Sequence, residues 1–214
     1  MSAALVPPII TADRLHLLKG EYVYLTFARE TDRELLRPLA KDERIWEFTK
    51  TLMITETYDA QFDDYFDGAL ATVSEGQAFV IRRTADDTVL GMTRIHSVNY
   101  KDKGAEIGHT WYIPEVWGQV YNKECKLLLL QYLFENLGFQ RVQFRVAHQN
   151  IRSQRAVEKI GATKEGVLRK HAFRNDGSRR DTVVFSILDD EWPEKKALIT
   201  AFASTSPSAH PAPR

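Results

Sequence analysis

The sequence is poor in the residues from which cross-links and metal clusters are built. Cys125 is the only cysteine, so no disulfide can form within the chain and no set of thiolates can hold a metal. The six histidines show no His-x-x-x-His spacing, and we therefore predict no metal site. Cys125 falls in an apolar segment, and we expect it to be part of the core because a free cysteine commonly packs as a small hydrophobe.

The chain also lacks an excess of charge and a long apolar run. Lys and Arg total 29, and Asp and Glu also total 29, which argues against a dedicated nucleic-acid-binding protein. No apolar stretch approaches the roughly 18 residues that span a bilayer. The first residues, MSAALVPPIITADR, have no basic region followed by a continuous apolar one, so they do not resemble a signal peptide. We predict a cytoplasmic globular protein without a membrane partner.

The length of 214 residues suits one domain. We expect residues 1–13 to be a loosely ordered lead-in and residues 14–203 to form this domain. Residues 204–214, STSPSAHPAPR, are small, polar and rich in proline, so we expect a disordered tail.

Apolar periodicity and turn residues predict the order strand, two helices, three strands, helix, strand, helix and two strands. The first strand, or a bent hairpin, is expected around Gly20. A hairpin turn is expected at residues 175–178, Asn-Asp-Gly-Ser, and a last helix near Glu191. This order predicts an α/β (α+β) fold. We expect a mixed, mostly antiparallel sheet of about six to seven strands with helices on both faces.

The junction at residues 114–138, PEVWGQVYNKECKLLLLQYLFENLG, combines a tight turn with an apolar helix. Leucines lie on nearly all sides of this helix, which predicts that it is central in the fold. Its first turn offers unpaired backbone N–H groups, a partial positive charge and the side chain of Lys123. This predicts an anion site for a phosphate or pyrophosphate. The alternative is an ordinary strand-to-helix turn with Trp117 as core filler.

Two longer segments resemble the GCN5-related N-acetyltransferase (GNAT) superfamily. They are residues 105–146, AEIGHTWYIPEVWGQVYNKECKLLLLQYLFENLGFQRVQFRV, and residues 150–193, NIRSQRAVEKIGATKEGVLRKHAFRNDGSRRDTVVFSILDDEWP. The resemblance extends from about Leu15 to Pro193. Within the superfamily, the sequence looks most similar to the ribosomal-protein N-terminal acetyltransferase (RimJ/RimL-like) branch.

The resemblance implies a fold in which two neighbouring strands splay apart and acetyl-CoA, the co-substrate, lies in the gap. The pantetheine arm would pair with open backbone groups of Trp111, Tyr112 and Ile113, and Asn150 would contact the same arm. The pyrophosphate would lie on the loop and the first turn of the helix. These residues are Trp117, Gly118, Gln119, Val120, Tyr121, Asn122 and Lys123.

The loop departs from the family pattern Gln/Arg-x-x-Gly-x-Gly/Ala, because Val120 stands where the family has its middle glycine. Valine resists positive φ, so either the loop uses ordinary φ values here or the affinity for the cofactor is reduced.

Only some of the family's catalytic residues have a counterpart in this sequence. The resemblance aligns Ser153 with a serine that protonates the leaving thiolate. The family's tyrosine acid and glutamate base align with Val157 and Ala172, so no base carries over. Glu106, His109 and His171 are the nearby alternatives, acting directly or through water.

Three functions are compatible with these features. The first is an N-acetyltransferase that moves the acetyl group of acetyl-CoA directly to a primary amine, either a protein N-terminus or a small molecule. The second is a non-catalytic acyl-CoA-binding or regulatory module. The third is a protein- or RNA-interaction domain that uses a basic hairpin. The sequence leaves open the acceptor amine and the oligomeric state, with a homodimer as one alternative. The basic hairpin residues are Arg169, Lys170, Arg174, Arg179 and Arg180.

Overall fold

The computed structural model describes residues 9–53, 55–71 and 76–205. Within these residues the chain forms seven strands and five α-helices, in the order that the sequence predicts. The strands are β1 (Val23–Phe27), β2 (Gln77–Arg83), β3 (Val89–Asn99), β4 (Gly104–Tyr112), β5 (Arg141–Ala147), β6 (Thr163–Phe173) and β7 (Arg179–Leu188). The α-helices are α1 (Arg33–Leu39), α2 (Tyr58–Leu70), α3 (Tyr121–Gln131), α4 (Ile151–Glu158) and α5 (Trp192–Thr205).

The seven strands form one sheet in the order β1-β2-β3-β4-β5-β7-β6. Every neighbouring pair is antiparallel except β4 and β5, which run parallel. A parallel pair needs a long crossover connection, and α3 provides it. The prediction of a mixed, mostly antiparallel sheet of about six to seven strands is confirmed.

Helices cover both faces of the sheet, as predicted. Alternate residues of a strand point to opposite faces. Phe79 and Ile81 of β2 therefore join the apolar cluster that contains α3, whereas Ala78 and Val80 join the cluster that contains α1 and α2. Leucines on several sides of α3 are fully buried, which confirms its central position.

The segment before β1 departs from the prediction of a strand or a bent hairpin. Residues Ala12–Leu18 form a 3-10 helix, and only the bridge between Lys19 and Tyr24 retains a hairpin-like contact around Gly20. Leu17 and the fully buried Leu18 both pack against the α3 side of the core. A regular strand would point these two adjacent side chains to opposite faces, which favours the helical turn.

Residues near both ends of the described chain belong to the packed fold. Ile9 and Ile10 are buried in the core, and α5 extends to Thr205. Residues 1–8 of the expected lead-in and residues 206–214 of the expected tail lie outside the described residues, so the boundaries at 14 and 203 stay predictions. Among the residues that the structure describes, no helix is both long enough and apolar enough to cross a membrane.

Candidate active site

The sheet opens between its two parallel strands. β4 and β5 are paired only from Gly104 to Glu106, opposite Arg141 to Gln143. Further along, β4 stays paired with β3 and β5 stays paired with β7, so the two strands diverge. In the described part of the chain, the β5-facing edge of residues 107–112 therefore has no strand partner. This is the splayed pair that the resemblance implies.

A cavity of about 330 Å³ runs through this opening. Its walls come from β4, β5, the starts of α3 and α4, and the segment between α1 and α2. The side chains of Ile113, Gln119, Val120, Tyr121 and Lys123 are not among its lining residues. The other predicted site residues line it together: Glu106, His109, Trp111, Tyr112, Trp117, Gly118, Asn122, Asn150, Ser153 and His171.

The loop before α3 takes its unusual backbone conformation at Gly118 and not at Val120. Gly118 has φ of 78°, the left-handed region that favours glycine. Val120 has φ of −64° and ψ of −27°, ordinary helical values, and its side chain is buried in the core. At position 120 the backbone therefore uses ordinary φ values, as the first of the two predicted alternatives states. The valine side chain points into the core and does not fill the loop.

The loop leaves a group of backbone donors without partners. The amides of Gly118, Val120, Tyr121 and Asn122 donate to no other described residue. Asn122 adds a buried side-chain oxygen, Oδ1, that also lacks a partner there. The unpaired N–H donors at the helix start favour an anion, whereas the Asn122 oxygen can only accept a hydrogen bond from a donor group.

Other backbone groups that were predicted to bind the co-substrate already have hydrogen-bond partners within the protein. The amides of Trp117 and Lys123 donate to the carbonyls of Pro114 and Val120. Ile113 donates to Leu90 and accepts from Val116, so it is the least suited of the three residues expected to pair with pantetheine.

Trp117 is held in place by groups that the sequence analysis missed. Its indole N–H donates to the carbonyl of Tyr112 at 2.9 Å. The Arg152 guanidinium lies 3.6 Å from the centre of the Trp117 ring, and that of Arg44 lies 5.7 Å away. Arg152 is the second residue of α4, and only the fold brings it against this loop. The cavity therefore has positive charge at the same end as the unpaired amides.

Ser153 and Asn150 occupy the first turn of α4. The Asn150 side-chain oxygen accepts from the Ser153 amide at 3.0 Å and caps the helix. This fixes the start of α4 against the cavity, with the Ser153 hydroxyl in its wall. Val157, one turn later, is buried and offers no acid.

A buried carboxylate lies where β4 and β5 begin to part. Glu106 Oε2 accepts from Arg145 Nε at 2.5 Å and from Gln143 at 3.2 Å. Its other oxygen, Oε1, lies 3.5 Å from His96 Nε2. Burial raises the pKa of Glu106, although Arg145 and Gln143 oppose the shift. The pKa of this carboxyl is therefore closer to neutral pH than that of an exposed glutamate.

Two neutral imidazoles stand beside this carboxylate. The rings of His96 and His109 lie 5.0 Å apart, edge to face. Burial lowers the pKa of His96 to about 4, with Arg145 adding to the effect. His109 sits at a bulge in β4 with φ of 49°. Its ring is open to the cavity, but the surrounding protein and Arg94 lower its pKa as well.

Lys126 is a buried lysine that the sequence analysis did not single out. Its ammonium donates to Thr110 Oγ1 at 2.7 Å, and Thr110 in turn lies 2.8 Å from Thr93 Oγ1. Burial lowers the pKa of Lys126 to about 8. The sequence alone suggests that a lysine beside a run of leucines lies on the helix surface. Only the fold shows that Lys126 faces the cavity.

The far end of the cavity is roofed by residues 46–53. The hairpin turn between β6 and β7 fastens this roof through Asn175, which exchanges two hydrogen bonds of 2.9 Å with the backbone of Leu52. Arg174 and Arg180 of the same hairpin donate to the carbonyls of Glu47 and Phe48. Part of the predicted basic hairpin surface therefore points inward and shapes the cavity.

The acidic side chains of α2 are not part of the cavity. Asp63 and Asp67 pair with Arg33, and Asp63 also pairs with Arg37, so they join α2 to α1. Cys125 is fully buried in the core, as predicted, and burial raises the pKa of its thiol.

The fold and the cleft are those of an acetyltransferase family. The sequence profile described as "Acetyltransferase (GNAT) domain" matches residues 23–163. This span covers most of the chain and both parted strands, and the chain belongs to the GNAT family. It is an acyltransferase that moves an acetyl group to an amine.

Known relatives agree with this assignment. The uncharacterized N-acetyltransferase YoaA of Bacillus subtilis (strain 168) is 29% identical over 170 residues, which cover 74% of this chain and 95% of YoaA. The structure of a GCN5-related N-acetyltransferase from Brucella melitensis matches with a TM-score of 0.78 and 26% identity. The match covers 88% of this chain and 85% of that one.

A spermidine N-acetyltransferase from Vibrio cholerae, solved with CoA and spermine, shares the fold. Its TM-score is 0.66 at 20% identity, over 81% of this chain and 99% of that one.

Proposed function

We propose that the cleft between β4 and β5 binds acetyl-CoA with its diphosphate on the amides of Gly118, Val120, Tyr121 and Asn122. The observation that carries this proposal is that these four donors lack partners at the point where the strands part. Backbone N–H groups and the positive end of α3 favour an anion there. Arg152, stacked on Trp117, adds a full positive charge beside them.

The parted strands suit the remainder of the co-substrate. The open edge of β4 at Trp111 and Tyr112 supplies backbone groups for the amides of pantetheine, although the Tyr112 carbonyl already accepts from the Trp117 indole. Asn150 Oδ1 already caps α4, so its NH₂ group is the part that faces this arm. Buried hydrogen-bonding groups cost free energy when they stay unpaired, which favours occupation by a polar, extended ligand.

We assign the proton transfers to two residues in the cavity wall. The amine attacks the thioester carbonyl carbon, the C–N bond forms, the C–S bond breaks, and the amine loses a proton while the thiolate gains one. Glu106 takes the amine proton, directly or through water, and Ser153 donates to the thiolate. Backbone N–H groups of β4 near His109 stabilise the oxyanion. His109 is the second candidate for the base.

The acceptor is a primary amine, either a peptide N-terminus or a small molecule. Segments 105–146 and 150–193 support membership of the RimJ/RimL-like branch. A non-catalytic module is less well supported, because a buried carboxylate and a hydroxyl lie in the cavity wall. An interaction domain is also less well supported, because Arg174 and Arg180 of the basic hairpin bind the roof instead of facing solvent together.

Release of free thiol from acetyl-CoA, measured over a panel of peptides and small amines, tests the proposal. We expect turnover by the wild-type protein. Ser153→Ala should lower kcat about 100-fold and leave the Kd for CoA within about twofold, because the hydroxyl acts on the leaving group. Ser178→Ala, in the exposed hairpin turn, is the matched control and should behave like wild type. Tight CoA binding without turnover on any amine would instead favour the non-catalytic module.

The pH profile separates the two candidate bases. Glu106 must be ionised to accept a proton, so kcat/KM should fall as pH drops through its raised pKa. Glu106→Gln should lower the plateau about 100-fold and remove this acidic limb, whereas His109→Gln should keep the limb. If His109→Gln removed the acidic limb and Glu106→Gln kept it, His109 would be the base.

A further inference from the structure

The cavity that holds the proposed reaction has walls of predominantly positive charge. Among the described residues that line it, Glu106 is the only carboxylate, and Arg145 already pairs with it. Five Lys and Arg side chains line the same cavity: Lys50, Lys126, Arg145, Arg152 and Arg180.

Apart from Arg145, these cations form two groups that contact different elements. Arg152 stacks on Trp117 and Lys126 bonds to Thr110, so both lie toward the α3 loop where CoA is proposed to bind. Lys50 and Arg180 lie under the roof, at the end that remains for the acceptor. The diphosphate and the acceptor therefore have separate positive charges.

Lys50 and Arg180 have no acidic partner of their own. Neither forms an ion pair with any carboxylate that the structure describes, and Arg180 Nε is buried without a hydrogen-bond partner there. Arg180 uses one N–H to hold the Phe48 carbonyl at 2.9 Å, which accounts for only part of its donor set. A roof contact alone would not require the second positive charge of Lys50.

The positive charges near Lys50 and Arg180 repel each other. Partial burial and the nearby charges of Arg180 and Arg145 lower the pKa of Lys50. Burial, with Arg174 and Arg145, lowers the pKa of Arg180. Glu106 offsets only part of this repulsion for both side chains, and a bound anion would offset more of it.

We propose that the acceptor is an amine that carries a carboxylate, and that Lys50 and Arg180 bind this carboxylate while the amine faces Glu106. This inference rests on the proposed acetyl transfer. Two kinds of acceptor supply such a carboxylate with the same chemistry: a free amino acid, through its α-carboxylate, and a peptide, through the side chain of an acidic residue. A polyamine would instead meet repulsion at this end.

Matched acceptors that differ in charge give the first test. The pairs are alanine against alaninamide, and the peptide Asp-Ala-amide against Asn-Ala-amide, with spermidine as the cationic acceptor. Rates are compared per unprotonated amine. We expect kcat/KM to be at least 10-fold higher for the anionic member of one pair, and that pair identifies the source. Equal rates within both pairs, or a preference for spermidine, would overturn the inference.

Charge variants give the second test. Lys50→Gln and Arg180→Gln should raise KM for the anionic acceptor about 10-fold with little change for its neutral partner. Lys50→Glu should reverse the preference toward spermidine, an effect that a merely structural role would not produce. Arg180→Lys keeps the charge and should recover part of the loss. Arg179→Gln is the control, because Arg179 is exposed and stacks on Phe173 outside the cavity.

A binding measurement separates failure of this inference from failure of the proposed function. Calorimetry with CoA present measures the affinity for the N-acetylated anionic product. Binding that Lys50→Glu abolishes, without turnover of any amine, would retain the carboxylate site and reject the transferase mechanism. Turnover of neutral and cationic amines that Lys50→Glu leaves unchanged would retain the transferase and reject the carboxylate site.

Discussion

At the scale of single residues, position 120 shows how a motif can change while its geometry remains. The family pattern places glycine where this chain has Val120, yet Val120 adopts helical φ and ψ and packs in the core. The left-handed residue of the loop is Gly118, where an added Cβ would meet no atom within 4 Å. The backbone strain of a side chain, and not a steric clash, is therefore what glycine avoids at position 118.

Alanine substitutions at positions 118 and 120 give a matched pair of predictions. Gly118→Ala should cost about 1 kcal/mol of stability and weaken CoA binding about 10-fold, because the strained loop turns its amides away. Val120→Ala should cost about 2 kcal/mol through lost core packing but leave the Kd for CoA within about twofold. Urea unfolding and calorimetric titration with CoA measure both quantities. A larger loss of CoA affinity in Val120→Ala would show that the valine shapes the site.

Lys126 makes a prediction about pH. Burial lowers its pKa to about 8, below the value of 10.5 for a free lysine. Between these two values the unfolded chain binds a proton that the folded protein does not, so this group makes the folded state more stable as pH rises. From pH 7.5 to 9.5 the wild type should gain about 2 kcal/mol relative to Lys126→Met. Urea unfolding at both pH values tests this, and parallel pH dependences of the two proteins would contradict it.

At the scale of elements, α3 does more than fill the core. Glu124 on its first turn is buried and accepts hydrogen bonds from the backbone amides of Glu21, Tyr22 and Val23 at 2.8, 2.7 and 2.6 Å. This carboxylate joins the start of α3 to the start of β1. The helix that presents the proposed diphosphate site is thereby fixed to the edge of the sheet.

Removing the charge of Glu124 should loosen this attachment. Glu124→Gln leaves one of its three backbone donors facing an NH₂ group, so the free energy of unfolding should fall by about 2–4 kcal/mol. Glu158→Gln, on the exposed end of α4, should stay within about 0.5 kcal/mol of wild type. Chemical denaturation of both variants measures the difference. A Glu124→Gln protein as stable as the control would rule out this attachment.

The elements also show what the sequence could predict. Turn residues and apolar periods were sufficient for the order of strands and helices, because those signals are local. The 3-10 helix before β1 was missed, since the core contacts of Leu17 and Leu18 come from residues far along the chain. Glu124 was missed for the same reason, as its three partners lie about 100 residues away.

At the scale of the whole fold, the site lies where β4 and β5, two neighbouring strands of the sheet, diverge. Three segments that are separate in the sequence meet at this cavity because β4 and β5 diverge. They contribute the loop amides, the capped start of α4 and the carboxylate of Glu106. The family motifs predicted the loop and α4. They could not predict the roof or the unpaired cations of Lys50 and Arg180, because these depend on contacts between residues 46–53 and the distant hairpin of β6 and β7.

Titration of ¹⁵N-labelled protein with CoA, followed through its amide signals, locates the bound diphosphate. In our proposal the diphosphate lies on the amides of Gly118, Val120, Tyr121 and Asn122. We predict that these four signals shift most at saturation and that their hydrogen exchange slows, because each gains an acceptor. Saturable binding of CoA that leaves these four signals in place, with the largest shifts elsewhere in the fold, would contradict the proposal.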